Sequence, residues 1–169
     1  MFAFRCNSCD KVHEGIPSFG WEYPLQYVGV PENERSRRCF MTSDTCVIDD
    51  AAFFVRGCLE IPVIGEEEVF SWGVWTSLSD KNFRHFEEFY NEPKRAQHGP
   101  FFGWLCSDIW LYPSTVNLKS MVHLRDDGIR PYIELEPTSH PLAIEQRLGI
   151  TRDRVAEIYE KMLHPPGSA

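Results

Sequence analysis

The clearest alternation of apolar and polar positions runs through the middle of the chain. Between residues 53 and 61, Val55, Leu59 and Ile61 fall on one face of an extended segment, and Arg56, Cys58 and Glu60 on the other. Residues 69–78 repeat the pattern, with Phe70, Trp72, Val74, Thr76 and Leu78 on a single face. The polar Gly65-Glu66-Glu67 between the two runs predicts an antiparallel hairpin. Residues 46–49 predict a shorter strand. Residues 116–124 and 129–135 predict two more, either side of Asp126-Asp127-Gly128, a strong turn signal.

The period then changes to that of a helix. Ser79 is placed as an N-cap with Asp80 in the first turn, and Phe83, Phe86, Phe89 and Tyr90 form one apolar stripe that Pro93 ends. Residues 31–38 read as short exposed helical turns, with Pro31 first, acids early and bases late. Residues 141–148 and 151–163 read as two helices joined at Gly149-Ile150, with Thr151 and Asp153 available as caps. Residues 2–5 suggest a short strand and residues 101–106 a buried apolar run. Gly15, Pro17, Gly20, Pro24 and Gly29 break up the segment from 15 to 30, which reads as a packed loop anchored by Trp21 and Tyr23.

These elements predict an α+β fold and one domain over residues 1–169. Within it, residues 1–46 form a zinc-knuckle and loop region, 47–136 a mainly antiparallel sheet core, and 140–164 a C-terminal helix pair. The length of 169 residues suffices for a full hydrophobic core. Apolar residues at 43% and charged residues at 25% are ordinary for a globular protein. Aromatics reach 14%, including twelve Phe and five Trp, which points to a core of large side chains ahead of an aromatic pocket. With 25 acids against 17 bases the net charge is −8, which opposes non-specific binding to nucleic acid. No apolar stretch approaches the ~18–20 residues of a membrane span, and no leader pattern is visible. A cytoplasmic location is expected, with the six cysteines mostly reduced.

Reduced cysteines direct attention to Cys6-Asn7-Ser8-Cys9, followed by His13. Two thiolates three residues apart can face one ion from a tight turn, and a nearby imidazole can add a third ligand. A structural zinc site needs four. No second C-x-x-C is present, so the fourth is sought among Cys39, Cys46, Cys58 and Cys106. Cys58 and Cys106 stand in apolar strands, where cysteine acts as a small hydrophobe. Cys46 opens a strand behind Asp44-Thr45. The expected set is Cys6, Cys9, His13 and Cys46 around a structural Zn2+, with Cys39 as substitute if His13 faces solvent. A redox C-x-x-C would open a helix within a βαβ unit, a pattern not seen here. Free thiols in a loop are the bland alternative.

Two further readings compete. Asp49, Arg56, Glu60, His123, Arg130, Glu134 and His140 lie on or beside predicted strands, so an enzyme pocket around Arg56, Glu134 and His140 is conceivable. The plain alternative is cross-strand pairing and solvated faces. The C-terminal helices have helix-turn-helix spacing. Their outward residues Arg152, Asp153, Arg154, Glu157, Glu160 and Lys161 are nearly charge-balanced, a poor face for DNA.

Several strings also carry a resemblance: Asp44-Thr45-Cys46-Val47-Ile48-Asp49, Phe54-Val55-Arg56-Gly57, Leu59-Glu60-Ile61-Pro62-Val63, Trp72-Gly73-Val74-Trp75 with Ser77-Leu78-Ser79, Phe102-Gly103-Trp104-Leu105, Arg130-Pro131 and His140-Pro141-Leu142-Ala143. With the front cysteines they resemble the bacterial family called domain of unknown function 2199, over nearly the whole chain. The resemblance implies a small single-domain bacterial protein in which Cys6, Cys9, His13 and Cys46 match recurrent positions, and it transfers no activity. The expected role is a zinc-stabilised binding or accessory module meeting a protein or a small ligand, a toxin-neutralising protein being one specific version. No nucleic-acid or membrane partner is expected.

Overall fold

A computed structural model describes residues 2–165. The expected domain limits at residue 1 and over 166–169 lie outside the described residues. The protein is α+β, and its centre is a closed barrel of five strands: β6 (Ala52–Pro62), β7 (Val69–Leu78), β8 (Phe101–Leu105), β9 (Lys119–His123) and β10 (Tyr132–Leu135). Each pairs antiparallel with the next, so the fifth strand of this meander runs in the direction of the first. Closure of β10 on β6 is therefore parallel, through Tyr132 opposite Cys58, and the Cys58 N–H donates to the Pro131 carbonyl at 2.8 Å. The expected sheet is thus present but rolled shut, which leaves none of these five strands as an open edge.

The period-two faces explain the filling. Val55, Leu59 and Ile61 of β6, Phe70, Trp72, Val74 and Leu78 of β7, Phe101 and Leu105 of β8, Val122 of β9, and Ile133 and Leu135 of β10 are all buried in one core. A five-stranded barrel is narrow, and two inward positions carry no side chain. At Gly57 a Cβ would stand 2.6 Å from Cδ1 of Ile133 and 2.8 Å from the Pro131 carbonyl oxygen, so the β6–β10 seam depends on a bare backbone there. The expected buried run at 101–106 alternates instead. Phe102 and Trp104 point outward, each 41% exposed, while Phe101, Gly103 and Leu105 point in.

Helix α3 (Asp80–Phe89) follows β7 as the apolar stripe predicted. The Ser79 hydroxyl accepts the Asn82 N–H at 3.2 Å, a cap typically worth about 1 kcal/mol, and Phe83 and Phe86 enter the core. Burial of each ring contributes on the order of 1.5–3 kcal/mol. The loop beyond α3 is held by Arg95, which is 2% exposed and has no carboxylate partner among the described residues. Its guanidinium donates to the carbonyls of Tyr90, Arg125 and Ile129 and stacks on the Tyr90 ring. Between β9 and β10, Asp127 and Gly128 both take positive φ (58° and 73°), as the Asp-Gly turn signal implies.

The outer face of β6 and β7 carries a second, smaller core. Phe54 and Trp75 pack there with Val30, Ile48, Cys46 and Cys106. It is covered by β4 (Cys39–Met41) and β5 (Thr45–Ile48), which extend the sheet beyond β6, and by the segment before them. That segment is more ordered than its Gly and Pro content suggested. β3 (Ser18–Gly20) pairs parallel with β7, and short helices α1 (Leu25–Val28) and α2 (Glu32–Arg38) follow. Trp21 anchors it as expected, its carbonyl accepting the Trp75 indole N–H at 3.0 Å, but Tyr23 is 41% exposed and stacks on Tyr27.

Helices α4 (Pro141–Leu148) and α5 (Arg152–Leu163) close another side through Leu142, Ala143, Val155 and Ile158. Gln146 caps the end of β10, accepting the Leu135 N–H at 2.8 Å and donating to the Ile133 carbonyl at 2.7 Å. The linker residue Ile150 makes a parallel bridge to Val63, just beyond β6. No described helix is long and apolar enough to cross a membrane.

Candidate metal centre

The N-terminal hairpin is separate from the barrel sheet. β1 (Ala3–Arg5) and β2 (Val12–Glu14) pair antiparallel, with Phe4 directly opposite His13. The connecting turn closes on itself: the Cys6 N–H donates to the Lys11 carbonyl at 2.9 Å, and the Asp10 N–H donates to the Cys6 carbonyl at 3.0 Å. Asp10 takes a φ of 60°, a conformation that Asp tolerates better than most residues. This turn carries both sulfurs. Cys6 is fully buried and Cys9 half-buried.

The hairpin lies against α5. Tyr159 meets the ring of Phe4 at 5.2 Å and that of His13 at 4.8 Å, and the Asn7 N–H donates to the Glu160 carboxylate at 2.6 Å. The helix therefore delivers its own end to the cysteine turn. His164, the residue after the last helical turn, has its N–H on the Glu160 carbonyl at 2.9 Å. Its imidazole nitrogen and the sulfurs of Cys6 and Cys9 all lie within 4.8 Å of one another. In a tetrahedral zinc site, Zn–S near 2.3 Å and Zn–N near 2.05 Å put neighbouring ligand atoms about 3.4–3.8 Å apart. The three groups thus need only a small contraction to share one ion. Two thiolates would also neutralise a divalent cation, so a buried Cys6 is compatible with the ion-bound form. The cation would sit at the negative end of the α5 dipole.

The remaining expected ligands divide. His13 stands next to the cluster, with Nε2 at 3.5 Å from the Cys9 sulfur. Cys46 stands elsewhere, fully buried in the second core opposite Phe54 of β6 and Met41 of β4. Burial, with a smaller contribution from neighbouring Cys39, pushes its thiol up to about 12. Cys39 shares that core, so neither cysteine is placed with Cys6 and Cys9. His164 stands outside the expected ligand set because it carries no ligand spacing in the sequence; its place just after the helical pattern of residues 151–163 is the one trace it leaves there.

The residues considered for an enzyme pocket are engaged separately. The Glu134 carboxylate meets His123 at 2.7 Å. His140 caps α4: its Nδ1 accepts the Leu142 N–H at 3.2 Å, which leaves Nε2–H to donate to the Pro113 carbonyl at 3.1 Å. Arg56 lies over its cross-strand neighbour Trp75, with the guanidinium 5.9 Å from the ring centre. Asp49 pairs with Arg38 at 2.6 Å, Glu60 with Arg125 at 2.6 Å, and Arg130 with Asp44 at 2.7 Å. The groove beside Glu134 is lined by Phe102, Lys119, Met121, Leu135 and Pro137, and holds neither Arg56 nor His140. On α5, Arg154 reaches Glu145 and Glu157, and Glu157 reaches Lys161, so much of that helix's charge is internally paired.

A family described as uncharacterized protein conserved in bacteria (DUF2199) matches residues 5–150. The chain belongs to this DUF2199 family. The match takes in Cys6, Cys9 and His13 together with the whole barrel, and it ends before α5 and His164. No curated protein and no solved structure matches the chain. DUF2199 membership therefore spans the cysteine turn and the barrel strands and brings no activity with it.

Proposed function

We propose that this chain is a metal-stabilised binding module, in which Cys6, Cys9 and His164 hold a structural Zn2+ and the outer barrel surface meets a protein partner or a small ligand. The observation that carries the metal reading is the convergence of two thiols and an imidazole from the two ends of the chain within 4.8 Å. Mixed sulfur and imidazole donors suit Zn2+, which has no redox chemistry and accepts tetrahedral geometry without preference. Its role would be cohesive. The hairpin is a two-stranded ribbon, which is marginal by itself, and a shared ion would bind it to α5.

The binding half of the reading rests on the outward face of β8 and β9. Phe102, Trp104 and Met121 are exposed there, Phe102 meets Trp104 edge-on at 5.3 Å, and grooves lie on both sides of Phe102. Protein interfaces favour aromatic and Met side chains of this kind.

The test is metal analysis of the purified full chain, followed by thermal unfolding with Zn2+ and with a chelator. Close to one zinc per chain and a clear fall in Tm on chelation are expected. A chain that stays metal-free in excess Zn2+, with unchanged Tm, would overturn the metal reading.

A further inference from the structure

The geometry points to His13 as the fourth ligand, which makes the centre a closed Cys2His2 site with no coordination position left for water or substrate. This rests on the reading of Cys6, Cys9 and His164 as a metal site and goes beyond it, because three ligands alone leave open whether the ion is structural or catalytic.

Three observations converge on His13. First, its Nε2 lies 3.5 Å from the Cys9 sulfur. The edge between a sulfur and a nitrogen on one tetrahedral zinc is about 3.6 Å. That pair is thus already spaced as two ligands of one ion, whereas Cys46 is packed among apolar side chains in the second core. Because His13 stands outside the Cys6, Cys9 and His164 group, its ring has to turn toward the other two donors on metal binding. Second, the ring is held. The ring centres of Phe4 and Tyr159 stand 5.5 Å and 4.8 Å from that of His13, on the hairpin and on α5 respectively, and the side chain is half-buried. An imidazole packed in a cluster with two other rings loses little freedom on binding a metal, which is the pre-organisation that ligands need. Third, register supports the placement. His13 occupies the β2 position directly opposite Phe4, two residues before Cys6 on β1, so the hairpin pairing itself sets the distance between the imidazole and the cysteine turn.

The four ligands then come from two elements only. The hairpin gives Cys6, Cys9 and His13, and the C-cap of α5 gives His164. With both thiolates ionised and both imidazoles neutral, the charge of the ion is balanced, so the centre can sit against the aromatic rings of Phe4 and Tyr159 without a free charge. A closed site of this kind contributes folding energy and leaves no open position for catalysis.

Co2+ titration of the full chain tests the assignment, because its visible bands report coordination number and its near-ultraviolet charge transfer reports thiolate count. Wild type should bind one Co2+ with the intense visible bands of four-coordinate geometry. His13→Phe keeps an aromatic ring in the packing and removes the nitrogen; it should weaken binding and lose visible intensity as water enters. His13→Cys should retain the metal and raise the charge-transfer absorption by about half, three thiolates replacing two. The gain in signal cannot arise from unfolding. If wild type binds Co2+ and both variants give its spectrum and affinity, His13 is only a hydrogen-bond partner of Cys9 and this inference fails while the three-ligand reading stands. If wild type binds no Co2+ or Zn2+, both fail.

Discussion

The imidazole of His164 lies within 4.8 Å of the Cys6 sulfur, although the two residues stand at opposite ends of the chain. The N-terminal segment and α5 meet through Tyr159 on Phe4 and His13, through Glu160 on the Asn7 N–H, and through Phe2, which shares a core with Val155 and Ile158 and lies under the Arg152 guanidinium. A metal at this junction would make the two termini one cooperative unit.

Removal of that link has a calculable effect. A metal bound only by the native state, at free concentrations about 100 times its Kd, adds about 2.7 kcal/mol. For a chain of this size that is about 5–11 °C in Tm. Chelation of the wild type should lower Tm by such an amount, and His164→Ala should start low and respond little to chelator. Hydrogen exchange should speed up over residues 2–14 and 152–163 while β6 and β7 keep their protection. A uniform loss of protection across the barrel would show that the centre does not act as a local staple.

How much of this could be read from residues alone follows from how local each signal is. Helix α3 was legible because its cap, first-turn acid and Phe stripe all lie within a dozen positions. The inward faces of β6 and β7 were legible for the same reason, through strict alternation. Closure of the barrel was not, since it depends on a parallel seam between strands far apart in sequence and registered through Tyr132 and Cys58 alone. β3 escaped notice because Ser18–Gly20 pairs through backbone bonds amid Gly and Pro. The cysteine turn was visible as chemistry. Its partner from α5 was not, because a single histidine carries no spacing pattern, and which helix end meets which turn is decided by packing.

The seam gives a sharp test of the barrel. Gly57→Ala introduces a Cβ at 2.6 Å from Cδ1 of Ile133 and 2.8 Å from the Pro131 carbonyl, so backbone and side chain must both yield. Overpacking of this kind costs about 1–3 kcal/mol. A fall in Tm is expected, together with faster exchange of the Cys58 amide, whose partner is the Pro131 carbonyl. Ile133→Val, which removes the nearest methyl, should recover part of the loss in the double variant. Full stability in Gly57→Ala would mean that β6 and β10 do not approach this closely.

Asp44 ties three elements together and should make the protein acid-sensitive. Burial pushes its carboxyl up, but hydrogen bonds from Tyr90 at 2.8 Å, Arg130 at 2.7 Å and Ser43 at 3.0 Å outweigh that and leave it below the usual carboxylate range. A depressed carboxylate stabilises the native state above its unfolded pKa, and the contribution disappears as pH falls through the lower native value. Asp44→Asn should therefore cost about 1–3 kcal/mol at pH 7, toward the low end because the Arg130 partner is 43% exposed. The gap between variant and wild type should narrow below about pH 4 in denaturant titrations run across pH. A gap that stays constant into strong acid would remove the carboxylate from the account.

Cys46 supplies the complementary test, since it was the cysteine expected to complete the metal site and the fold places it among Phe54, Ile48, Trp75 and Cys106. Burial first, and Cys39 second, push its thiol up to about 12. A thiol held protonated at neutral pH is a poor nucleophile and a poor ligand. In the native chain it should therefore resist alkylation at pH 7.5 and react only after denaturation. Cys46→Ala should leave metal content at the wild-type level, whereas Cys6→Ala should abolish it. The raised thiol also predicts an alkaline limit. Its contribution is fully present below the ordinary cysteine range near 9 and is lost as pH rises toward about 12, because the unfolded chain ionises first. Wild type should thus lose more stability than Cys46→Ala across that interval. Loss of metal in Cys46→Ala, with Cys6 and Cys9 intact, would return Cys46 to the coordination sphere and displace a histidine from it.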